Sequence, residues 1–128
     1  TFRLSEYEPD VPFPIGKLSV TATRVPHYTL QTYAFRVQSN GAVLAYSGDS
    51  APSPELVEAA RDADLFVCEA TLLRGELDGE PRGHLSLDEA IEAFEVSGAR
   101  RLLVTHRPSE LPTPDEYELA YDGLELDV

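Results

Sequence analysis

The sequence predicts an α/β fold in which an antiparallel meander leads into parallel β-α-β units. Three short apolar runs end in polar residues and are separated by stretches with helical periodicity, which is typical of buried parallel strands joined by helices. The runs are AVLAYSGD, LFVCE and LLVTH, at residues 42–49, 65–69 and 102–106. Asn40-Gly41 ahead of the first run favours a hairpin, because a tight turn of this kind needs a positive φ at both positions.

Two alternating segments precede the first run and predict the antiparallel strands. Leu18–Val25 alternates apolar and hydroxyl side chains and is expected to end at Pro26-His27, and residues 32–38 alternate in the same way. Residues 1–16 are rich in proline and acid, so we expect an irregular lead-in there.

Two helices are predicted between the apolar runs by their caps and by apolar side chains on one face. Ser53 and Pro54 suit the N-cap and first position of the first helix. Ser86 and Glu89 form a capping box for the second, and Gly98 favours its end. The side chains expected to be buried are Leu56, Ala59, Ala60 and Ala63 in the first helix and Leu87, Ala90, Ile91 and Phe94 in the second.

Two further segments lack a regular period. Residues 72–83 are a charged, glycine-containing loop, and residues 108–128 are an acidic tail that begins with several prolines. Within the tail we expect a short helix over residues 115–120 and a closing strand over residues 124–128.

Length and charge restrict the class of protein. With 128 residues, the chain 1–128 is expected to form a single domain with a core of its own. Its formal net charge of −13 repels polyanions, so the chain is a poor candidate for holding RNA or DNA by itself. One cysteine, no signal-peptide pattern and no apolar run of membrane-spanning length make a cytoplasmic protein the expectation. The first residue is not Met, so we expect a fragment or a processed chain.

Polar side chains suited to chemistry follow each apolar run. Right-handed crossovers bring the carboxyl ends of parallel strands to one edge of a sheet, so Asp49, Glu69 and His106 are expected to meet there. His84 directly precedes the second helix, which connects two of these strands, so it is expected at the same edge. If Glu69 lies beside His84, the pair can hold a proton and donate it to a leaving group.

Each of these candidates also has a purely structural interpretation. Asp49 could cap a turn or a helix, and His106 could be a surface histidine at the end of a strand. A carboxylate at the end of a buried run needs a partner, and for Glu69 a salt bridge with Arg74 or Arg107 is the alternative to the histidine.

Four short motifs follow one another in the chain: Ser47-Gly48-Asp49-Ser50, Cys68-Glu69-Ala70-Thr71, Gly83-His84-Leu85-Ser86 and Val104-Thr105-His106. Together they resemble the metallo-β-lactamase-fold hydrolases, and most closely the branch of ribonuclease Z and cyclic-nucleotide phosphodiesterases. The resemblance covers roughly residues 18–107. It implies the carboxyl-terminal half of a four-layer αββα fold.

The resemblance also implies a role for each candidate. Asp49 would bridge two divalent metal ions, and His106 would be a ligand to one of them. His84 would be the general acid that protonates the leaving oxygen, and Glu69 the carboxylate that orients it. Zinc is the metal expected, with manganese as the alternative. His27 either contacts the substrate or merely ends a strand.

The family's main metal motif, H-x-H-x-D-H, is absent, and the three histidines of the chain cannot build that site. The chain is therefore expected to supply at most two of the usual metal ligands and to need a missing amino-terminal half or a second chain. We expect half of a phosphodiester hydrolase site, inactive alone, for a small phosphodiester such as a cyclic nucleotide.

Two alternative functions remain open at this point. One is half of a ribonuclease Z-like enzyme for tRNA 3′-end processing, with the RNA held only through the missing half. Cys68 stands where ribonuclease Z commonly has a histidine. The other is a non-catalytic module that pairs through an exposed sheet edge, and such an edge also favours a homo-oligomer.

Overall fold

A computed structural model describes residues 1–128 and contains one seven-stranded mixed sheet with two helices. The strands lie side by side in chain order. They are β1 (Phe13–Ile15), β2 (Leu18–His27), β3 (Leu30–Ser39), β4 (Ala42–Tyr46), β5 (Leu65–Glu69), β6 (Leu102–Thr105) and β7 (Glu118–Leu119). The helices are α1 (Pro54–Ala60) and α2 (Leu87–Ser97), and a 3₁₀ turn covers Gly75–Leu77.

The first four strands are antiparallel and the last four are parallel. This confirms the predicted meander of β2 to β4 and the predicted parallel strands β4 to β6, whereas β1 and β7 were not predicted. The β3–β4 hairpin turns through Asn40 and Gly41, whose φ values of 51° and 83° confirm the expected tight turn. Helix α1 connects β4 to β5, and α2 connects β5 to β6, so the carboxyl ends of these three strands lie at one edge of the sheet.

Both helices begin at the predicted caps, and α2 ends at the predicted glycine, but Ala63, expected on α1, lies beyond the end of that helix. Of the side chains expected to be buried in α2, Ala90 is buried and the others, Leu87, Ile91 and Phe94, are partly buried. The Ser53 hydroxyl accepts a hydrogen bond from the Leu56 N–H at the start of α1. In α2 the Ser86 hydroxyl accepts from the Glu89 N–H, while the Glu89 carboxylate accepts from the Ser86 N–H, which completes the capping box. Gly98 ends α2 with φ 74°, a left-handed conformation that glycine adopts without strain.

The two faces of the sheet differ in how well they are covered. The core lies on the helix-covered face, where Ala45, Phe66 and Leu102 are in register and buried beneath the helices. On the opposite side, which we call the open face, Tyr46 is 42% exposed. The partly exposed neighbours on that face are Phe35, Val37, Leu44 and Val67. These side chains share a face because they are paired across neighbouring strands or lie two residues apart on one strand.

The lead-in covers only one end of the open face. The Tyr7 ring stacks on Phe13 with centroids 5.1 Å apart and meets Tyr33 and Phe35 edge-on. Phe13–Ile15 pairs with Leu18–Val20, so the predicted irregular segment contains a short strand.

Three further expectations were wrong in detail. Strand β2 includes Pro26 and ends at His27, two residues later than the predicted Val25. The proline is accommodated because its carbonyl faces away from β3 and accepts from the Ala51 N–H. The ring nitrogen of Pro26 faces the same outer side, where no ladder hydrogen bond is lost. Residues 115–120 contain β7 and no helix, and no strand forms over residues 124–128. Neither helix has the length and apolar character needed to cross a membrane.

Candidate active site

The turn after β4 fixes the direction of Asp49. Gly48 has a φ of 58°, and a Cβ atom at this position would lie 2.6 Å from the Tyr33 carbonyl oxygen. Only glycine fits both conditions without displacing the backbone. The turn therefore directs Asp49 toward the ends of β5 and β6.

The Glu69 carboxylate at the end of β5 is 1% exposed and fully hydrogen-bonded. Its Oε1 accepts from the Ser50 N–H at 2.8 Å and from His84 Nδ1 at 2.8 Å. Its Oε2 accepts from the Thr71 hydroxyl at 2.7 Å and from the N–H groups of Thr71 and Leu85 at 3.2 Å each. The cost of burying this charge is offset by five donors.

The alternative partners of Glu69 lie elsewhere. Arg107 donates to the carbonyl oxygens of Ala70, Leu72 and Pro112. Burial lowers the pKa of Arg107 from its ordinary value, and the carboxylate of Asp88 opposes this only in part. No salt bridge joins Glu69 to Arg74 or Arg107, so the structural alternative for Glu69 was wrong.

One ring nitrogen of His84, Nδ1, is hydrogen-bonded within the chain, and the other, Nε2, is not. Its Nδ1–H faces the Glu69 carboxylate, and its side chain is 14% exposed. Since Nδ1 is engaged, Nε2 is the nitrogen that can exchange a proton with a bound molecule. The rings of His27 and His106 lie near it, with centroids 4.8 Å and 5.6 Å away.

Asp49 lies between two histidines, one at each carboxylate oxygen. Its Oδ1 is 3.1 Å from His106 Nδ1, and its Oδ2 is 3.8 Å from His27 Nε2. The side chains of Asp49 and His106 are 40% and 52% exposed. The two imidazole rings therefore lie at opposite oxygens of one carboxylate.

His27 is fixed in a single tautomer by its own hydrogen bond. Its Nδ1 is 2.7 Å from the Gly83 carbonyl oxygen, which can only accept, so Nδ1 carries the proton and Nε2 has a free lone pair. Metal-bound histidines typically donate their other ring N–H to a backbone carbonyl or carboxylate in this way. The side chain is 10% exposed and its Nε2 faces Asp49, while His27 is also the last residue of β2.

The donor set fits a metal site that is incomplete in this chain. The candidate ligand atoms of His27, Asp49 and His84 lie within 4.8 Å of one another, and so do those of Glu69, His84 and His106. Imidazole nitrogens and carboxylate oxygens are ordinary zinc ligands, but a zinc ion needs about four of them. With Glu69 and His84 bonded to each other, His27, Asp49 and His106 are the donors left for two ions.

Three residues of this region were missed from the sequence. Thr71 donates its hydroxyl to Glu69 and lies 3.1 Å from His106 Nδ1. Asp78, in the loop between β5 and α2, accepts hydrogen bonds from the backbone beside His84, and Tyr28 donates its hydroxyl to Asp78. A hydroxyl two residues after a strand-end carboxylate, and an Asp-Gly pair shortly before a histidine, were the available signals.

Similarity to known proteins agrees with this geometry. The family model described as "Beta-lactamase superfamily domain" matches residues 1–107. Uncharacterized protein ML1173 of Mycobacterium leprae is 39% identical over 116 residues, which cover 88% of this chain and 40% of that protein. The probable metallo-hydrolase YhfI of Bacillus subtilis is 30% identical over 102 residues, covering 80% of this chain and 41% of YhfI.

Solved structures show the same fold. The crystal structure of YhfI, a metallo-beta-lactamase fold protein, matches with a TM-score of 0.72 and 28% identity over 80% of this chain and 41% of YhfI. The short form of human tRNase Z matches with a TM-score of 0.70 and 26% identity, covering 88% of this chain and 42% of the enzyme. The chain therefore spans about two fifths of the length of these relatives. It belongs to the beta-lactamase superfamily and has part of the metallo-β-lactamase fold, close to YhfI and ribonuclease Z, as its motifs predicted.

Proposed function

We propose that this chain supplies half of a metal-dependent site that hydrolyses a small phosphodiester, such as a cyclic nucleotide. The observation that carries the proposal is the pair of Glu69 and His84, whose 2.8 Å hydrogen bond lies beside the carboxylate of Asp49. A buried carboxylate that orients an imidazole next to candidate metal ligands is the arrangement of a general acid in a hydrolase.

The candidate ligands have separate roles in this proposal. Asp49 would be shared between two divalent ions, zinc or manganese, with His106 and His27 each binding one of them. When bound, such ions supply Lewis acidity and an activated water molecule. Assigning His27 as a ligand replaces the expectation that it contacts substrate. The remaining ligands would come from outside this chain.

The chain's own residues then provide the proton for the leaving oxygen. Glu69 holds His84 Nδ1–H, so the ring presents Nε2. When Nε2 also carries a proton, the imidazolium donates it to the alkoxide that departs from phosphorus and becomes the neutral Nδ1–H ring. The ring cannot turn away without breaking this bond to a carboxylate that is itself held by four other donors.

A small substrate is favoured because the chain offers few free cations near the site. Arg107 is engaged by carbonyl groups and Arg82 by the carboxylate of Glu89. Binding of a long RNA depends on neutralising several phosphates, and the net charge of −13 opposes it.

Processing of tRNA 3′ ends is the second candidate function, favoured by the similarity to human tRNase Z. In that case the RNA would be held by basic residues outside this chain. A non-catalytic module is the third candidate. Exposed apolar side chains available for pairing lie on the open face around Tyr46 and on the edge strand β1, where Ile15 is 56% exposed.

The test is an assay of the longest chain that the gene encodes, loaded with zinc or manganese. We expect hydrolysis of a 3′,5′-cyclic nucleotide or of bis(4-nitrophenyl) phosphate, its loss on chelation, and its loss in Asp49→Asn. The matched control is Asp122→Asn, an exposed residue of the tail that should leave the rate unchanged. Cleavage of precursor tRNA alone would contradict the small substrate, and failure with every phosphodiester would contradict the proposed function.

A further inference from the structure

Asp78 is a buried acid that the proposed reaction does not use directly. Its side chain is 2% exposed although it belongs to a charged surface loop. Oδ2 accepts from the N–H groups of Gly83 at 2.7 Å and His84 at 2.9 Å. Oδ1 accepts from the Tyr28 hydroxyl at 2.9 Å and from the Gly79 N–H at 3.0 Å.

One peptide group connects Asp78 to both histidines. The peptide bond between Gly83 and His84 gives its N–H to Asp78 and its carbonyl oxygen to His27 Nδ1. Asp78, the peptide and the His27 ring thus form one continuous line of hydrogen bonds. The nitrogen of this peptide belongs to His84, whose ring is hydrogen-bonded to Glu69.

We propose that Asp78 is a positioning residue that fixes the orientation of His27 and His84 together, and that Tyr28 is its partner in this task. The proposal rests on the proposed function for its kinetic consequence but not for its structural one. Asp78 does not contact the proposed ligands or substrate itself, so it acts through the Gly83–His84 peptide.

The physical reason is polarisation. A negative charge on the N–H side of a peptide increases the electron density of its carbonyl oxygen, because hydrogen bonds in series strengthen one another. The Gly83 carbonyl therefore becomes a better acceptor for His27 Nδ1–H, and Nε2 is kept as the free lone pair. Although burial alone would favour the neutral acid, the four hydrogen bonds lower the pKa of Asp78, so the charge is present at neutral pH.

Tyr28 contacts both histidine rings as well as Asp78. Its ring packs against those of His27 and His84, with centroids 4.9 Å and 5.6 Å away. Gly83 is required beside it, since a Cβ atom there would lie 2.3 Å from the ring. The Tyr28 N–H also donates to the Arg82 carbonyl, so the β2–β3 turn and the loop before α2 are joined at this point.

The kinetic test uses Asp78→Asn in the longest chain that the gene encodes, with Glu76→Gln, an exposed acid of the same loop, as the matched control. We expect kcat to fall about 10- to 100-fold, as for other residues that orient metal-binding histidines. KM should stay within about twofold, because Asp78 does not touch the substrate. An unchanged kcat in Asp78→Asn, or an equal loss in Glu76→Gln, would overturn the proposal.

The second readout is independent of activity. In the metal-free protein labelled with ¹⁵N-histidine, long-range ¹H–¹⁵N spectra report the tautomer of each ring. We expect His27 to be an Nδ1–H tautomer in the parent chain and a mixture of tautomers in Asp78→Asn. A pure Nδ1–H tautomer in the variant would overturn the positioning role. If the parent hydrolyses no phosphodiester, the proposed function fails while this spectrum still decides the role of Asp78.

Should Asp78→Asn fail to fold, Tyr28→Phe keeps the ring and removes one of the four hydrogen bonds to Asp78. A fall in kcat at constant KM, together with partial loss of the Nδ1–H tautomer of His27, would support the proposal. Parent-like kinetics and spectrum would overturn it.

Discussion

Two groups of side chains meet at the same sheet edge, but they differ in how many of their hydrogen bonds are made within the chain. The buried network consists of Glu69, His84 and Asp78, and its two carboxylates are almost inaccessible and accept nine hydrogen bonds between them. The open pair consists of Asp49 and His106, which are 40% and 52% exposed.

The difference in exposure distinguishes side chains whose hydrogen bonds are satisfied within this chain from side chains whose polar atoms are left free. The buried network can orient His84, the proposed proton donor, through contacts within this chain, because each carboxylate is held by backbone and side-chain donors. The open pair has oxygen and nitrogen atoms that face solvent, which suits ligands whose ions are completed by other parts of the protein. Substitutions in the network and in the pair are therefore expected to have different signatures.

The largest expected effect is on the proton donor. Replacing His84 by Gln should lower kcat about 10²- to 10⁴-fold for phosphodiesters with an alkoxide leaving group. A 4-nitrophenolate leaving group needs little protonation, so the fall in kcat with such a substrate should be much smaller. The measurement is a comparison of the two leaving groups in steady-state assays of the parent and the variant. Equal losses for both would argue that His84 is a metal ligand and not an acid.

Removal of the Glu69 carboxylate is expected to cost stability as well as activity. Glu69→Ala leaves four other donors and the His84 ring without their acceptor, which should lower the free energy of unfolding by at least about 3 kcal/mol. Chemical denaturation provides the measurement. Glu95→Ala, on the exposed side of α2, is the control and should stay within about 0.5 kcal/mol of the parent. Similar losses for both variants would mean that the network adds little stability.

The turn before Asp49 offers a test directed at the open pair. Gly48→Ala places a Cβ atom against the Tyr33 carbonyl at a positive φ, which should cost about 1 to 3 kcal/mol and displace Asp49. Gly79→Ala is the control, since no atom lies within 4 Å of its added Cβ. Metal affinity, measured by competition with a chelator, should fall in the first variant only. Retained affinity in Gly48→Ala would show that the position of Asp49 is not critical.

The smallest expected effect is the acid dependence of the buried network. The pKa of Asp78 is lowered in the folded chain, so its stabilisation is present above its unfolded pKa of about 4 and is lost as the pH falls below that value. The free energy of unfolding of the parent should therefore drop more steeply below about pH 4 than that of Asp78→Asn. If the free energy of unfolding depended on pH in the same way in both proteins, the lowered pKa of Asp78 would be contradicted.

The parts of the fold that depend on short-range signals could be predicted from the sequence. The Asn40-Gly41 turn, the capping box at Ser86 and the helix end at Gly98 each depend on neighbouring residues, and all three are present. The meeting of Asp49, Glu69 and His106 followed from the general rule for parallel strands. Parallel pairing of β7 with β6 has no such local signal, since two residues of the tail suffice to form it.

The sequence could not reveal how the buried network is built. Asp78 belongs to a loop with many charged residues, and nothing in its neighbours marks it as the one that turns inward. His27 follows a proline that usually ends a strand, and its role depends on the Gly83 carbonyl, 56 residues later in the chain. Contacts between residues so far apart in the sequence can be identified only from the three-dimensional structure.

The most direct test of the site is the location of metal ions in the complete protein. Crystals of the longest encoded chain, grown with zinc, should show two anomalous peaks, one on each side of the Asp49 carboxylate. His106 should bind one ion and His27 the other, while His84 Nδ1 stays on Glu69. Ions bound elsewhere, or an Asp49 carboxylate that binds none, would contradict the proposed site.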